Sequence, residues 1–390
     1  MTILNAETRV YAGFAIYSFG MGNIFPRLPD IQAGMGVAEG ALGLGLIGTP
    51  VGTLFALTFA TPVLERIGFK MSLILSIPLM ALFFAIAVHA PAPLALFVLL
   101  IPVGLMVGSI EIILNIEADR TEHLLGRRIM NRSHSFWSIG FFGAGLVGAA
   151  MAQAGVSPQW HLGLIVPIAI GGVALIFRDY HPAPKRPELN PTAVPLMARP
   201  TGPILILVAV TLSAMLMEGA SMDWSAIYMR NVFDSEPFIA GLAVAVFAFS
   251  QATSRFFADR FVDRHSPSTV ARFLACVLGA GIALVFLSPA PVVSLIGFAM
   301  IGVGTSALFP LAISAAAQRT DRAAAINVAA LAQISFSVFL LGPPLLGFVA
   351  EHWGIQWAFG LGLPLALVSF LLAGSLGGKS TRPAGSSLPH

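Results

Sequence analysis

The 390-residue sequence predicts an all-α polytopic membrane protein: twelve transmembrane helices in two six-helix bundles related by a parallel 6+6 repeat. Three observations predict it. Only 10% of the residues are charged and 57% are hydrophobic, with mean hydropathy +0.86, whereas a soluble domain is about 25% charged. Apolar runs close to the ~20 residues that cross a bilayer occur twelve times. The bases between those runs fall almost wholly on one side, so a net charge of +3 and a pI near 9.3 report orientation, and no nucleic-acid signature accompanies them.

Taken in order, the runs cover 9–29, 39–63, 70–89, 94–117, 132–155 and 160–178 in the first half of the chain. The start, Met1 to Arg9, is short and polar, so no cleavable signal is expected and the first run stays as a span. It ends in "FGMGNIFPRLPDIQ", where two prolines bend or stop the helix. The stretch "NRSHS", 131–135, supplies helix N-cap residue types at the entry to the fifth span. A polar, proline-rich segment, "RDYHPAPKRPELNPTAVPLMARPTG", then forbids a continuous helix. It divides the chain into an N-terminal bundle (1–178), a cytoplasmic linker (179–201) and a C-terminal bundle (202–376). The second six runs are 202–228, 237–262, 268–288, 291–317, 323–350 and 354–376, and the tail 377–390 is expected to be disordered.

With both ends cytoplasmic, nineteen of the twenty-one bases lie inside and only Arg27 and Arg230 lie outside, as the positive-inside rule requires. One missed helix would scramble that split. The duplication has its own anchors. "QWHLGLIVP" at 159–167 matches "QWAFGLGLP" at 356–364, an offset of 197, and two shorter pairs, "ERIG" with "DRHS" and "RTE" with "RTD", repeat at 198 and 199. Because six is even, both copies share an orientation, which sets a pseudo-twofold axis along the membrane normal and a central site between the halves. The single cysteine, Cys276, excludes an internal disulfide and a cysteine metal cluster. No Walker A loop, Gly-x-Ser-x-Gly elbow or His-Glu-x-x-His motif occurs, so neither ATP drive within the chain nor enzymatic chemistry is expected.

The twelve spans, the duplication, the long central loop and the short loops after spans two and eight together resemble the major facilitator superfamily over nearly the whole chain. That family carries roughly Gly-x-x-x-Asp-Arg-x-Gly-Arg-Lys in those loops. The first copy here is "TPVLERIGFK", which keeps Arg66, Gly68 and Lys70 with Glu65 in place of aspartate; the second is "DRFVDRHSPS", which keeps Asp263 and Arg264. "SRFFADRFVDR" and "EADRTEHLLGRRIMNRSHSF" resemble a bacterial branch near the fucose permeases. The resemblance implies a cytoplasmic gate of Glu65, Arg66, Gly68, Lys70, Asp259, Arg260, Asp263 and Arg264, whose charges pair and separate as the halves rock. It also implies a multi-pass inner-membrane transporter working by alternating access, with no cofactor.

Polar residues inside the spans mark the expected site. Glu111 has no base within eight residues on either side, and a carboxylate in hydrocarbon costs several kcal/mol unless it is neutral, paired or wetted. Asn115 lies one turn on, and Gly104 and Gly108 extend the same small and polar stripe, which belongs against a helix or a water-filled cavity. Glu218 on span seven shares a face with Ser221 and Ser225. Glu111 and Glu218 are the proton-coupling candidates. Asn23, Asn115, Trp137, Gln251, Asn327 and Gln333 are the substrate-binding candidates, while His134 reads as a residue of the capped helix end and Arg255 as a partner of Asp259 four residues on. Arg27, Asp30 and Asp223 are candidates for a periplasmic gate, Arg27 pairing with an acid such as Asp223. The partners expected are the bilayer, a proton and a small polar solute such as a sugar, handled by a monomer. A proton-driven drug or metabolite exporter and a non-transporting sensor on the same scaffold are the alternatives.

Overall fold

The computed structural model describes residues 4–127, 129–184 and 198–377, without the side chains of Asn131, Asp259 and Asp263. The expected tail and most of the expected linker lie outside the described residues. Numbered as spans, the helices of the first half are α1 (Ala6–Gly22), α2 (Glu39–Phe59), α3 (Phe69–Ala87), α4 (Pro93–Leu125), α5 (Met130–Gln153) and α6 (Pro158–Phe177). Those of the second half are α7 (Gly202–Asp223), α8 (Pro237–Arg264), α9 (Pro267–Phe286), α10 (Pro291–Ala317), α11 (Ala324–Trp353) and α12 (Ile355–Leu376). Eleven of these are long and apolar enough to cross a membrane. The other, α1, has 17 residues and continues through a single 3-10 turn, Phe25–Arg27, into a further helix, Leu28–Met35. The first span therefore breaks at the prolines and resumes, where the sequence suggested one run over 9–29.

Local chemistry sets the helix starts. Pro93, Pro158, Pro237, Pro267 and Pro291 each open a helix at the position where a missing N–H costs nothing. Asn5, Ser157 and Ser266 cap α1, α6 and α9 through their side-chain oxygens. The entry to α5 differs from expectation. The helix starts at Met130, so "NRSHS" lies within it, and the Glu122 carboxylate accepts the backbone N–H groups of Ile129 and Met130 at 3.0 and 2.8 Å instead. His134 is thereby one turn inside the helix and turned toward the bundle.

Neighbour relations repeat between the halves. In the first, α2 packs on α4, α1 on α5 and α6, and α3 on α4 and α6; in the second, α8 packs on α10, α7 on α11 and α12, and α9 on α10 and α12. The halves meet through α5 against α8 and α2 against α11, two pairings that interchange when each helix is replaced by its counterpart six places along. Small residues allow the closest approaches. A Cβ on Gly104 of α4 would strike the Thr49 carbonyl oxygen and the Thr53 nitrogen of α2, and one on Gly52 would strike α4 in the same way. These are backbone atoms that cannot swing aside. Gly104→Leu should therefore cost about 3 kcal/mol or more by overpacking, read as loss of a monodisperse, cooperatively melting protein in detergent.

The contacts between halves are concentrated at the end of the bundle that carries few bases. There Gly145 and Gly241 bring α5 and α8 together against Ala245 and Ala149, and Gly43 of α2 lies on Pro343 of α11. Polar bonds join the same faces. Asn231 Nδ2 donates to Glu39 at 2.7 Å, the Gly40 N–H to Glu351 at 3.1 Å, and the Phe238 N–H to Gln153 at 3.0 Å. At the base-rich end the described ion pairs stay within one half: Arg127 and Arg132 with Glu7, Arg120 with Glu117, and Arg319 with Asp321. The molecule is held shut at one end by its two halves and not by these pairs at the other.

Candidate functional site

On the first half, α1, α4 and α5 bring one polar line together. Asn115 Nδ2 donates to the Glu111 carboxylate at 3.0 Å and to the Glu111 backbone oxygen at 2.9 Å. The Tyr17 side chain of α1 is buried beside the same carboxylate. His134 Nε2 lies 3.2 Å from Asn115 Oδ1; with the amide nitrogen committed to Glu111, the imidazole is the donor. Glu111, Asn115 and His134 are half-buried, and Tyr17 is buried. Beside them Trp137 stacks on Phe141, centroids 5.2 Å apart, and its buried Nε1 has no hydrogen-bond partner among the described residues. An amide passes no proton, so Asn115 separates His134 from Glu111 chemically while fixing both in place.

The second half answers with a charge pair. Arg255 Nη2 of α8 donates to both Glu218 oxygens of α7, at 3.3 and 3.5 Å, with side-chain exposures of 20% and 15%. Arg255 Nε donates to the Ser306 carbonyl at 3.1 Å. That carbonyl is free because α10 is interrupted between Thr305 and Leu308 and Pro310, four residues on, has no N–H to return. Across the interface, Phe142 of α5 meets Phe249 of α8 at 5.1 Å. Glu111 and His134 thus sit on one half, and Glu218 and Arg255 on the other. Arg255 has a carboxylate partner on α7; the expected partner, Asp259, has its side chain outside the described residues.

Other expected residues lie elsewhere. Gln251 is buried on α8 and donates to Thr305 of α10 at 3.2 Å, a link within the second half. Asn23 is buried at the base-poor end of α1, where its side-chain oxygen meets His161 Nε2 at 2.9 Å. Asn327 lies at the base-rich end, donating to Asp321 at 3.0 Å and accepting from Arg322 at 2.9 Å. The Asn327 amide, with Arg319, holds the Asp321 carboxyl below its usual range. Gln333 accepts the N–H of Ala198, and Arg322, held by Asn327, donates to the Arg199 carbonyl, so Gln333 and Arg322 engage the segment that leads into α7. The segment leaving α6 is tied down likewise: Glu117 accepts the Ala183 N–H at 3.1 Å, and burial, with Glu117 beside it, raises the Tyr180 phenol above its ordinary value.

Gly68 has φ +86 and turns the chain between α2 and α3, where a side chain would be strained. Lys70 Nζ donates to the Arg178 carbonyl at 2.9 Å, a bond within the first half. Glu65 is engaged and Arg66 is exposed, while Arg260 lies over the Phe257 ring at 5.9 Å and Arg264 ends α8. The Asp259 and Asp263 side chains lie outside the described residues. At the other end Arg27 does not reach Asp223. It pairs with Asp30 at 2.9 Å and donates to the Val156 carbonyl at 2.7 Å, because Asp30 lies three residues on along the same helical face. Asp223 instead lines a small cleft between α7 and α11 with Gly219, Phe339 and Pro343.

Comparison with known proteins agrees with this architecture. The profile described as Major Facilitator Superfamily matches residues 206–389. An uncharacterised transporter of Sinorhizobium fredii is 28% identical over 366 residues, 93% of this chain and 96% of the relative. Among solved structures, the nucleoside transporter NupG superposes with TM-score 0.71 at 15% identity, covering 96% of this chain and 98% of that one. A D-xylose–proton symporter superposes with TM-score 0.72 at 15% identity, covering 97% and 100%. Both structures share the fold.

Proposed function

We propose that this chain, a membrane transporter of the major facilitator superfamily, moves a small polar solute by alternating access and couples that movement to protons through Glu111. The observation that carries the reading is the arrangement of facing groups. A half-buried Glu111 is held by Asn115, with Tyr17 beside it, on one half, and the Glu218–Arg255 pair stands on the other. The base-rich end is taken as cytoplasmic, on the positive-inside rule, and the bundle sealed at the opposite end is then the inward-facing state of an inner-membrane protein.

The physical logic is one of charge in a closing cavity. While the cavity is wet, Glu111 can be ionised; when the halves close over it, water leaves and an unpaired carboxylate becomes costly. Solute with a neutral Glu111 passes through the closed state, solute with an ionised Glu111 does not, and the emptied carrier returns with Glu111 ionised, so one proton crosses with each solute. Glu218 is already matched by Arg255, so the pair serves as the fixed charge against which solute and Glu111 are read. The unpartnered Trp137 N–H and the Asn115 amide give the solute a donor and a ring face, which suits a hydroxylated, sugar-like molecule. Two of the similar structures are titled as a nucleoside transporter and a D-xylose–proton symporter, which supports this solute class.

The test begins with a thermal-shift screen of metabolites on purified protein at two pH values. The compound selected is then followed in proteoliposomes. Uptake against its gradient driven by an imposed proton gradient, with counterflow, supports the reading. Binding without counterflow makes the chain a sensor.

A further inference from the structure

Away from the α5–α8 interface, α3 and α6 leave an apolar groove of ≈ 640 Å³ on the outer face of the first half. Its walls are two stripes spaced at four residues. Ile74, Pro78 and Leu82 of α3 face Val166, Ile170 and Ala174 of α6. Each stripe ends, one turn further toward the base-rich end, in a base. Lys70 precedes Ile74 by four residues, and Arg178 follows Ala174 by four and itself lines the groove. The bond from Lys70 Nζ to the Arg178 carbonyl ties these two ends together, leaving two ammonium N–H groups for another acceptor. The Arg178 guanidinium is exposed and has no partner among the described residues. From Ile74 to Leu82 the groove runs ~12 Å along the helix, in the direction a lipid tail takes through a leaflet. Leu82 and Ile170 are 39% and 53% exposed in it.

We propose that this groove is a binding site for an anionic glycerophospholipid of the leaflet at the base-rich end. One acyl chain lies between the α3 and α6 stripes, and the phosphate bridges Lys70 and Arg178. The positive-inside rule alone places bases at that boundary, but not two of them at the head of one apolar groove, with Lys70 bonded to the Arg178 backbone carbonyl. Basic groups between spanning helices on the cytoplasmic side select anionic headgroups, and the tail groove adds contact that a free phosphate lacks.

The test uses the full-length protein, delipidated in detergent and titrated by native mass spectrometry with phosphatidylglycerol, with phosphatidylcholine of the same chains, and with inorganic phosphate. Phosphatidylglycerol is expected to bind at least about tenfold more tightly than phosphatidylcholine. Lys70→Gln and Arg178→Gln should each weaken it about fivefold. Lys70→Arg and Arg178→Lys should retain it, and Ile170→Trp, which fills the groove and keeps both bases, should weaken phosphatidylglycerol and phosphatidylcholine alike. Equal binding of the two lipids by the unaltered protein would overturn the proposal. So would retention of phosphatidylglycerol by the Ile170→Trp variant, or binding of inorganic phosphate as tight as that of the lipid. The first comparison needs no variant, so it stands even where a substitution prevents folding.

Discussion

Glu111→Gln should abolish the response of uptake to an imposed proton gradient while leaving solute counterflow within about twofold. The amide keeps the size of the carboxyl and can still meet Asn115 and Tyr17, but it cannot ionise. A gradient of one pH unit supplies about 1.4 kcal/mol per proton, or a tenfold accumulation of solute at one proton per cycle. The variant should lose that factor and equilibrate the solute instead. Proteoliposomes with and without the gradient give the comparison. Unchanged gradient-driven accumulation would make Glu111 a structural hydrogen-bond acceptor, with Tyr17 and Asn115 its reason for being there.

The second large effect concerns Arg255 and Glu218. Removing one partner of a buried pair leaves an uncompensated charge and typically costs 3–5 kcal/mol; with 15–20% of these side chains exposed, about 2 kcal/mol is expected for Arg255→Leu. Glu218→Leu should be similar, and should also leave Arg255 without its carboxylate, lowering transport more than tenfold. The double variant removes both charges. It should regain most of the stability lost by either single change, since apolar pairs often replace buried ion pairs without penalty, yet remain inactive. Thermal melting and counterflow of all three variants separate the two roles. A double variant no more stable than the singles would mean that Arg255 and Glu218 act through other neighbours.

Composition, run length and base placement made the span count and the pairing of halves legible, because hydrocarbon leaves few alternatives for a chain of this kind. The break in the first span was half legible: the prolines near Arg27 announced it, but whether a chain stops or bends and resumes depends on packing against α5 and α8. Glu111 with Asn115 was visible as a four-residue spacing. Tyr17 was not, since a lone tyrosine in an apolar run carries no periodic signal and its partner is 94 positions away in sequence. His134 was misread as part of a helix end because the cap came from Glu122, a residue in the preceding helix. Gln333 and Asn327 were visible as amides in a span, but their partners lie in the loop beside Arg322 and in the segment before α7, which no pattern within α11 reveals. Arg255 pairs with Glu218 across α7 and α8, 37 positions apart in sequence, a partner that spacing along α8 does not reveal.

The most direct test of coupling through Glu111 is proton movement itself. In lightly buffered proteoliposomes without an imposed gradient, solute addition to the unaltered protein should raise the external pH transiently as protons enter with the solute. The Glu111→Gln protein should show counterflow of the same solute and no pH change. A pH transient of equal size in that variant would contradict the account.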